Sequence, residues 1–470
     1  NIFFGTGIPT IVMVLRQKRE NTDVLIIDAS KGFVKEGKNN KLRPCDIKKI
    51  TDTVKGRLDV DKFSRRVSKE EIRANEYNLN IPRYVDSSEE AESWDIFATM
   101  FGGIPESEIS QFKNFWTVFP SLKEEIFSTN GEHASVKVNN IKKTIEENAD
   151  VKKFLADYRN AFEGFKDILK STLIDNAGTV QINMEEDRIS EDIFGRFKDV
   201  KLVDKYEAYE IFKSNYDAIA GDLELIQVEG ENSITKVDPN MVIKKKNGKE
   251  TEVQDGWKGH IIPFDIVQAT LLKDNADVIE NMKLQMQEIT STYESMLGEL
   301  SEDDKELLGD AISENGDEFV FKNIKAHVKL LKADADVEYA NLIDVLEKVE
   351  KLNKKEKELK NSIKKSEEDL HLKTKEVIEN LSGNDREYLL ECKWINPIIQ
   401  GIDALPGNMI SQLEKKLDDL SKKYQDTFAD IENEIINTEK ELSMMLDELK
   451  GSETVMLGMA ELKKFFGGDF

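Results

Sequence analysis

Few side chains in this sequence are spaced for catalysis. The four histidines, His133, His260, His327 and His371, are scattered. They show neither His-x-x-x-His nor Cys-x-x-Cys spacing, so no metal site is expected. Cys45 and Cys392 lie far apart and build no disulfide framework, which fits a reducing compartment. No Gly-x-Gly-x-x-Gly turn follows a strand, and neither a phosphate-loop lysine nor a Gly-x-Ser-x-Gly elbow occurs. Gly5-Thr6-Gly7 precedes an apolar run, whereas a phosphate-cradling loop follows a strand and opens a helix. No residue is assigned a catalytic role on these patterns.

The densest basic spot is Lys244, Lys245, Lys246 and Lys249, in MVIKKKNGKETEV. Asn247-Gly248 between two strand-like arms predicts a tight hairpin, because both turn residues need positive φ. Two readings of its lysines stay open. They could contact nucleic-acid phosphates, each contact releasing counterions, or they could protect an exposed strand edge from aggregation. Trp257 and Trp394 sit in Gly- or Pro-bearing segments and are expected to anchor their loops.

The elements that must position these residues fall into three regions. The 470 residues carry 92 Asp+Glu against 67 Lys+Arg, a net charge of −25, which opposes a surface that wraps nucleic acid as a whole. A hydrophobic fraction of 39% is enough for true cores. No run is apolar for long enough to span a membrane.

Region 1–90 has an α/β texture: the apolar run Ile8–Leu15, the turn RQKRENT, the run DVLIID, the helical DIKKITDTVKGR, then YNLNIPRYV. Its apolar runs scarcely alternate, as in strands covered on both faces. Two or three such strands cannot complete a sheet, so the region is expected to be the end of a larger domain.

Region 91–336 shows apolar residues at three- and four-residue steps and predicts a mainly helical domain with the hairpin near 241–254. Region 337–470 is heptad-like. One stripe runs through Ile410, Leu413, Leu417, Leu420, Tyr424, Phe428, Ile431, Ile435, Thr438, Leu442, Met445 and Leu449, with Met444 beside it; the other runs through Leu342, Val345, Val349, Leu352, Leu359, Ile363 and Leu370. A long antiparallel coiled coil between them, followed by a C-terminal tail, is the expectation.

FFGTGIPTIVMVL, DVLIIDAS and NEYNLNIPRYVD together resemble the C-terminal end of the methyltransferase core in modification (M) subunits of type I restriction-modification systems. AESWDIFATMFGGIPESEI, LVDKYEAYEIF, the hairpin segment and WINPIIQGIDALP look like the tail of a long-tailed subset of these subunits. The resemblance implies a Rossmann-like core remnant and adenine-N6 methylation of double-stranded DNA from S-adenosylmethionine. It further implies specificity (S) and restriction (R) subunits and a second M subunit as partners, no membrane, and the cytoplasm of a bacterium or archaeon.

In related enzymes an aromatic before this strand stacks on the flipped base, which maps onto Phe3 or Phe4, with Gly5, Thr6, Gly7, Ile8, Pro9 and Thr10 completing that wall of the pocket. Asn80, Arg83 and Tyr84 would anchor the end of the core, or Arg83 would meet nucleic acid. The glycine-rich cofactor motif and the (N/D)PP(Y/F) tetrapeptide of the family are absent from the sequence. The chain alone is therefore expected to be inactive. The alternative is a non-enzymatic coiled-coil interaction or scaffold protein.

Overall fold

Within the computed structural model, residues 10–88, 93–246, 249–313, 315–334 and 339–465 are described. The run DVLIID forms the strand Val24–Ile27, which pairs antiparallel with Ser64–Val67. Ile26, Val67, Ile72, Tyr84 and Val85 close a small core behind that pair. DIKKITDTVKGR lies in the helix Pro44–Gly56, started by Pro44 and by a capping box between Arg43 and Asp46. It stops where Arg57 turns left-handed, at φ 48°. NLNIPRY forms a single 3-10 turn, Ile81–Arg83, and the Tyr84 hydroxyl donates to the Asn78 carbonyl at 2.6 Å.

The apolar run does not form the buried strand expected of it. Ile11–Leu15 carries no regular structure and its side chains are 59–85% exposed. A strand is held by ladder hydrogen bonds and by covered faces. Among the described residues, Val24–Ile27 and Ser64–Val67 form a two-stranded sheet that no further strand joins. Every strand pairing among those residues is antiparallel, so the parallel ladder of a Rossmann-like core is not seen.

Two compact units divide the chain. One contains the residues up to Leu169, Gln181–Ala218 and those from Pro397; the other contains Lys170–Val180 and Ile219–Asn396.

In the first unit, a three-stranded sheet places His133–Val136 between Ile104–Pro105 and Phe127–Asn130. Sequence reading found a single β element in the middle of the chain; this second one turns at Asn130-Gly131, with Asn130 opposite His133 and Gly131 at φ 70°. Leu413, Leu417, Leu420 and Tyr424 of the helix Asn396–Lys423 are buried with Phe119, Leu122, Ile126, Ile145 and Phe154. The expected stripe from 409 to 450 is therefore interrupted. Thr427 starts a new helix, Phe428–Glu448, through a capping box in which its hydroxyl accepts the Asp430 N–H at 3.0 Å.

In the second unit, the helix Ala340–Glu379 does form a long antiparallel pair, but its partner lies upstream. Along the helix Lys273–Glu299, Asn275 meets Lys373 at 2.9 Å, Lys283 meets Glu367 at 2.8 Å and Tyr293 meets Glu356 at 3.3 Å. Leu342, Leu346 and Val349 are buried with Leu297, Leu308, Ile324 and Val328. The upstream helix has its own three- and four-residue apolar series, Ile279, Met282, Met286, Ile289, Tyr293 and Met296, which makes it a suitable cover. Asp222 accepts hydrogen bonds from the buried Trp394 indole at 2.8 Å and from the Lys393 ammonium.

Candidate functional site

Phe3, Phe4, Gly5, Thr6, Gly7, Ile8 and Pro9, expected to face a flipped base, lie outside the described residues; Thr10 is exposed and without regular structure. Arg83 is exposed on its 3-10 turn.

A cleft of about 300 Å³ opens instead beside the helix Pro44–Gly56. Its walls include Asp28, Lys31, Gly32, Arg43, Asp46, Lys49, Lys62, Phe63, Ser87 and Tyr206. Local geometry explains why these groups converge. Val24–Ile27 delivers Asp28 at its end, where the carboxylate accepts from Ser87 and from the Ser30 N–H. Gly32 passes close to Asp46, so a Cβ there would lie 3.1 Å from its Oδ1. The helix Lys205–Glu229 brings in Tyr206 and Glu207 from far along the chain.

Arg43 and Lys49 are each paired with carboxylates. Arg43 donates from Nε to Asp46 at 3.1 Å and from Nη1 to Glu207 at 3.2 Å. Lys49 lies 3.8 Å from Asp204 and 4.9 Å from the Phe63 ring centre. Burial pushes the Asp46 carboxyl up, but the hydrogen bonds from Arg43 prevail and hold it below the usual carboxylate range. Asp28 behaves alike, its burial outweighed by the bonds from Ser87 and Ser30. Burial, then Asp46 and Glu210, push the Cys45 thiol well up, which keeps it protonated and unreactive. The cleft holds paired charges and no activated nucleophile.

The cleft also does not fit S-adenosylmethionine. On an open α/β sheet a nucleoside-bearing cofactor sits where a glycine-rich turn joins a strand to a helix. Here the chain leaves Val24–Ile27 and enters a short ribbon, Val34–Glu36 with Asn39–Lys41, before any helix begins.

The basic hairpin is present as Val237–Lys246 paired with Lys249–Gly259. Its turn residues Asn247 and Gly248 lie outside the described residues. Lys244 pairs with Asp255 and Lys245 with Glu250, each at 3.3 Å and each largely exposed. Register places Lys246 directly opposite Lys249. Arg83 belongs to the first unit and the lysines to the second.

Sequence reading missed the cleft because its key pairs are remote, Arg43 and Glu207 being 164 residues apart. No spacing signal could have joined them.

Comparison with known proteins bears on the same N-terminal stretch. Residues 1–93 match the N-6 DNA methylase family. The methylase subunit of the type I restriction enzyme MpnII from Mycoplasma pneumoniae is 38% identical over 97 residues. Those of MjaVIII and MjaVII from Methanocaldococcus jannaschii are 36% and 38% identical over 101 residues. Each match covers 20% of this chain and 18% of the relative, so the chain spans less than a fifth of the length of these methylase subunits. No solved structure matches the chain. The matched segment holds residues 3–10, the cleft's strand and helix, and Arg83.

Proposed function

We propose that this chain is part of a type I restriction-modification DNA methyltransferase that transfers a methyl group from S-adenosylmethionine to adenine N6. The observation carrying this reading is the match of residues 1–93 to the N-6 DNA methylase family. This chain would supply one wall of the base pocket, with Phe3 or Phe4 stacking on the extruded adenine and Gly5 to Thr10 forming the backbone beside it. S-adenosylmethionine would supply the methyl group, held by residues that these 470 do not include. The chain by itself would not transfer methyl groups.

Its second task would be assembly with the specificity subunit. The helix Phe428–Glu448 has no buried residue, and Ile431, Ile435, Leu442, Met445 and Leu449 line one exposed stripe. The stripe is bordered by Asp430, Glu432, Glu434, Glu439, Glu441 and Glu448, while Asp447, on the far side of the helix, pairs with Lys463. Two copies of such a helix would meet acid against acid. A partner helix with an apolar seam and basic flanks fits, and the specificity subunit is the occupant assigned to it.

Co-expression with a type I specificity subunit tests the assembly. The wild-type chain should co-purify with it, and Ile435→Glu with Leu442→Glu should abolish co-purification at unchanged melting temperature. Failure of the wild-type chain to bind would end this role. For the pocket, Phe3→Leu and Phe4→Leu in the complete subunit should include one variant with lost turnover and a lost base-flipping signal. Unchanged behaviour of both would refute the stacking role.

A further inference from the structure

The hairpin's register sorts its charges. Successive residues of a strand point to opposite faces, and residues directly paired across an antiparallel ladder share a face. Met241 with Gln254, Ile243 with Glu252 and Lys245 with Glu250 therefore share one face. Val242 with Val253, Lys244 with Thr251 and Lys246 with Lys249 share the register of the other. Over these paired positions the first carries one lysine and two glutamates and the second three lysines, with Asp255 beside Lys244 at the irregular step.

Edge protection does not require this arrangement. Lysines guarding an edge work from either face, and like charges directly opposed, as at Lys246 and Lys249, destabilise a ladder. Asp255 reaches Lys244 at 3.3 Å from the irregular step in the ladder, with both side chains more than half exposed. Such a pair is worth little and exchanges readily for a phosphate.

The ribbon is also firmly rooted. Trp257 donates its N–H to Nε2 of His371 at 2.9 Å, and the Lys375 ammonium lies 3.7 Å from the centre of the Trp257 ring. Gly256, at φ 77°, lets the backbone approach the imidazole. Among the described residues its two strands pair only with each other, and a two-stranded ribbon is of a size that the DNA major groove admits.

We infer that the Lys244, Lys246 and Lys249 face of this ribbon contacts the phosphates of duplex DNA, while the Lys245 face does not. The choice of DNA as the polyanion rests on the methyltransferase reading.

The test measures binding of the 470-residue chain to labelled duplex DNA across a salt series. The triple variant Lys244→Gln, Lys246→Gln, Lys249→Gln should flatten the slope of log affinity against log salt by about 3, close to one for each phosphate that is no longer neutralised. Lys245→Gln should leave the slope unchanged. An unchanged slope in the triple variant, an equal effect of Lys245→Gln, or no wild-type binding at low salt would each overturn the proposal. Lysine-dependent binding by a chain whose assembled complex transfers no methyl group would instead fault the enzymatic reading alone.

Discussion

Gly256→Ala is a sharp test of how the ribbon is held. Gly256 sits at φ 77°, and a Cβ built there would lie 2.6 Å from Nε2 of His371. The substitution acts twice. An alanine in left-handed backbone costs about 1–2 kcal/mol. The new methyl also displaces the imidazole from the Trp257 N–H, whose unpairing adds about 1–3 kcal/mol, with the lower end expected because Trp257 is only half-buried. The sum is roughly 2–4 kcal/mol, localised to the ribbon root.

Gly230→Ala is the internal control. Gly230 lies in the same unit at φ 84°, but nothing stands within 4 Å of its Cβ position, so it carries the backbone cost alone. Hydrogen exchange across Val237–Gly259 reads the outcome. Gly256→Ala should strip protection from Trp257 and its neighbours, while Gly230→Ala should leave them protected. Equal exchange in the two variants would refute the claim that His371 fastens the ribbon.

Asp222→Ala should destabilise the second unit by about 3–5 kcal/mol in denaturant melts, since it removes the carboxylate from the Lys393 ammonium, leaving it only the Ile261 carbonyl, and strands the Trp394 N–H. Native thiol titration should modify Cys392 first and Cys45 only on unfolding, because Cys45 is buried with its thiol held protonated. Asp46, through Arg43, and Asp238, through the side-chain bond from His260, have carboxyls held below their unfolded values. Their contribution to stability is complete above about pH 4 and is lost as pH falls through the folded values, so Arg43→Gln should flatten the acid limb of the stability profile. A limb unchanged by Arg43→Gln would count against the Asp46 part.

Much of the local structure was legible in the sequence. Apolar period located the helices Pro44–Gly56 and Ala340–Glu379 and the part of Asn396–Lys423 from 409 on, and Asn247-Gly248 located the ribbon, because these signals act within a few residues; the first half of Asn396–Lys423 runs through Gly401 and Pro406, where those residues predict a break. Asn130-Gly131 offered the same kind of signal for the second hairpin and went unused. Pairing was far less legible. An apolar stripe states that a face needs cover, not which helix provides it, so Ala340–Glu379 was matched to the downstream stripe when Lys273–Glu299 was equally amphipathic. Ile11–Leu15 shows the same limit for strands. Its composition favours a covered strand, but strand formation depends on a neighbouring ladder that the sequence of the run does not encode.

The size of the exposed stripe bears on what assembly requires. Ile431, Ile435, Leu442, Met445 and Leu449 are between 38% and 62% exposed, so covering them completes about half the burial of five side chains. At about 1.5–3 kcal/mol for burying each such side chain fully, this amounts to roughly 4–7 kcal/mol. Association costs about 4–15 kcal/mol in lost translational and rotational freedom. The stripe by itself therefore sustains only weak association. A stable complex needs a second contribution, and the acidic border would supply a chemically selective one, because it would speed encounter with basic flanks on a partner and repel a second copy of this chain.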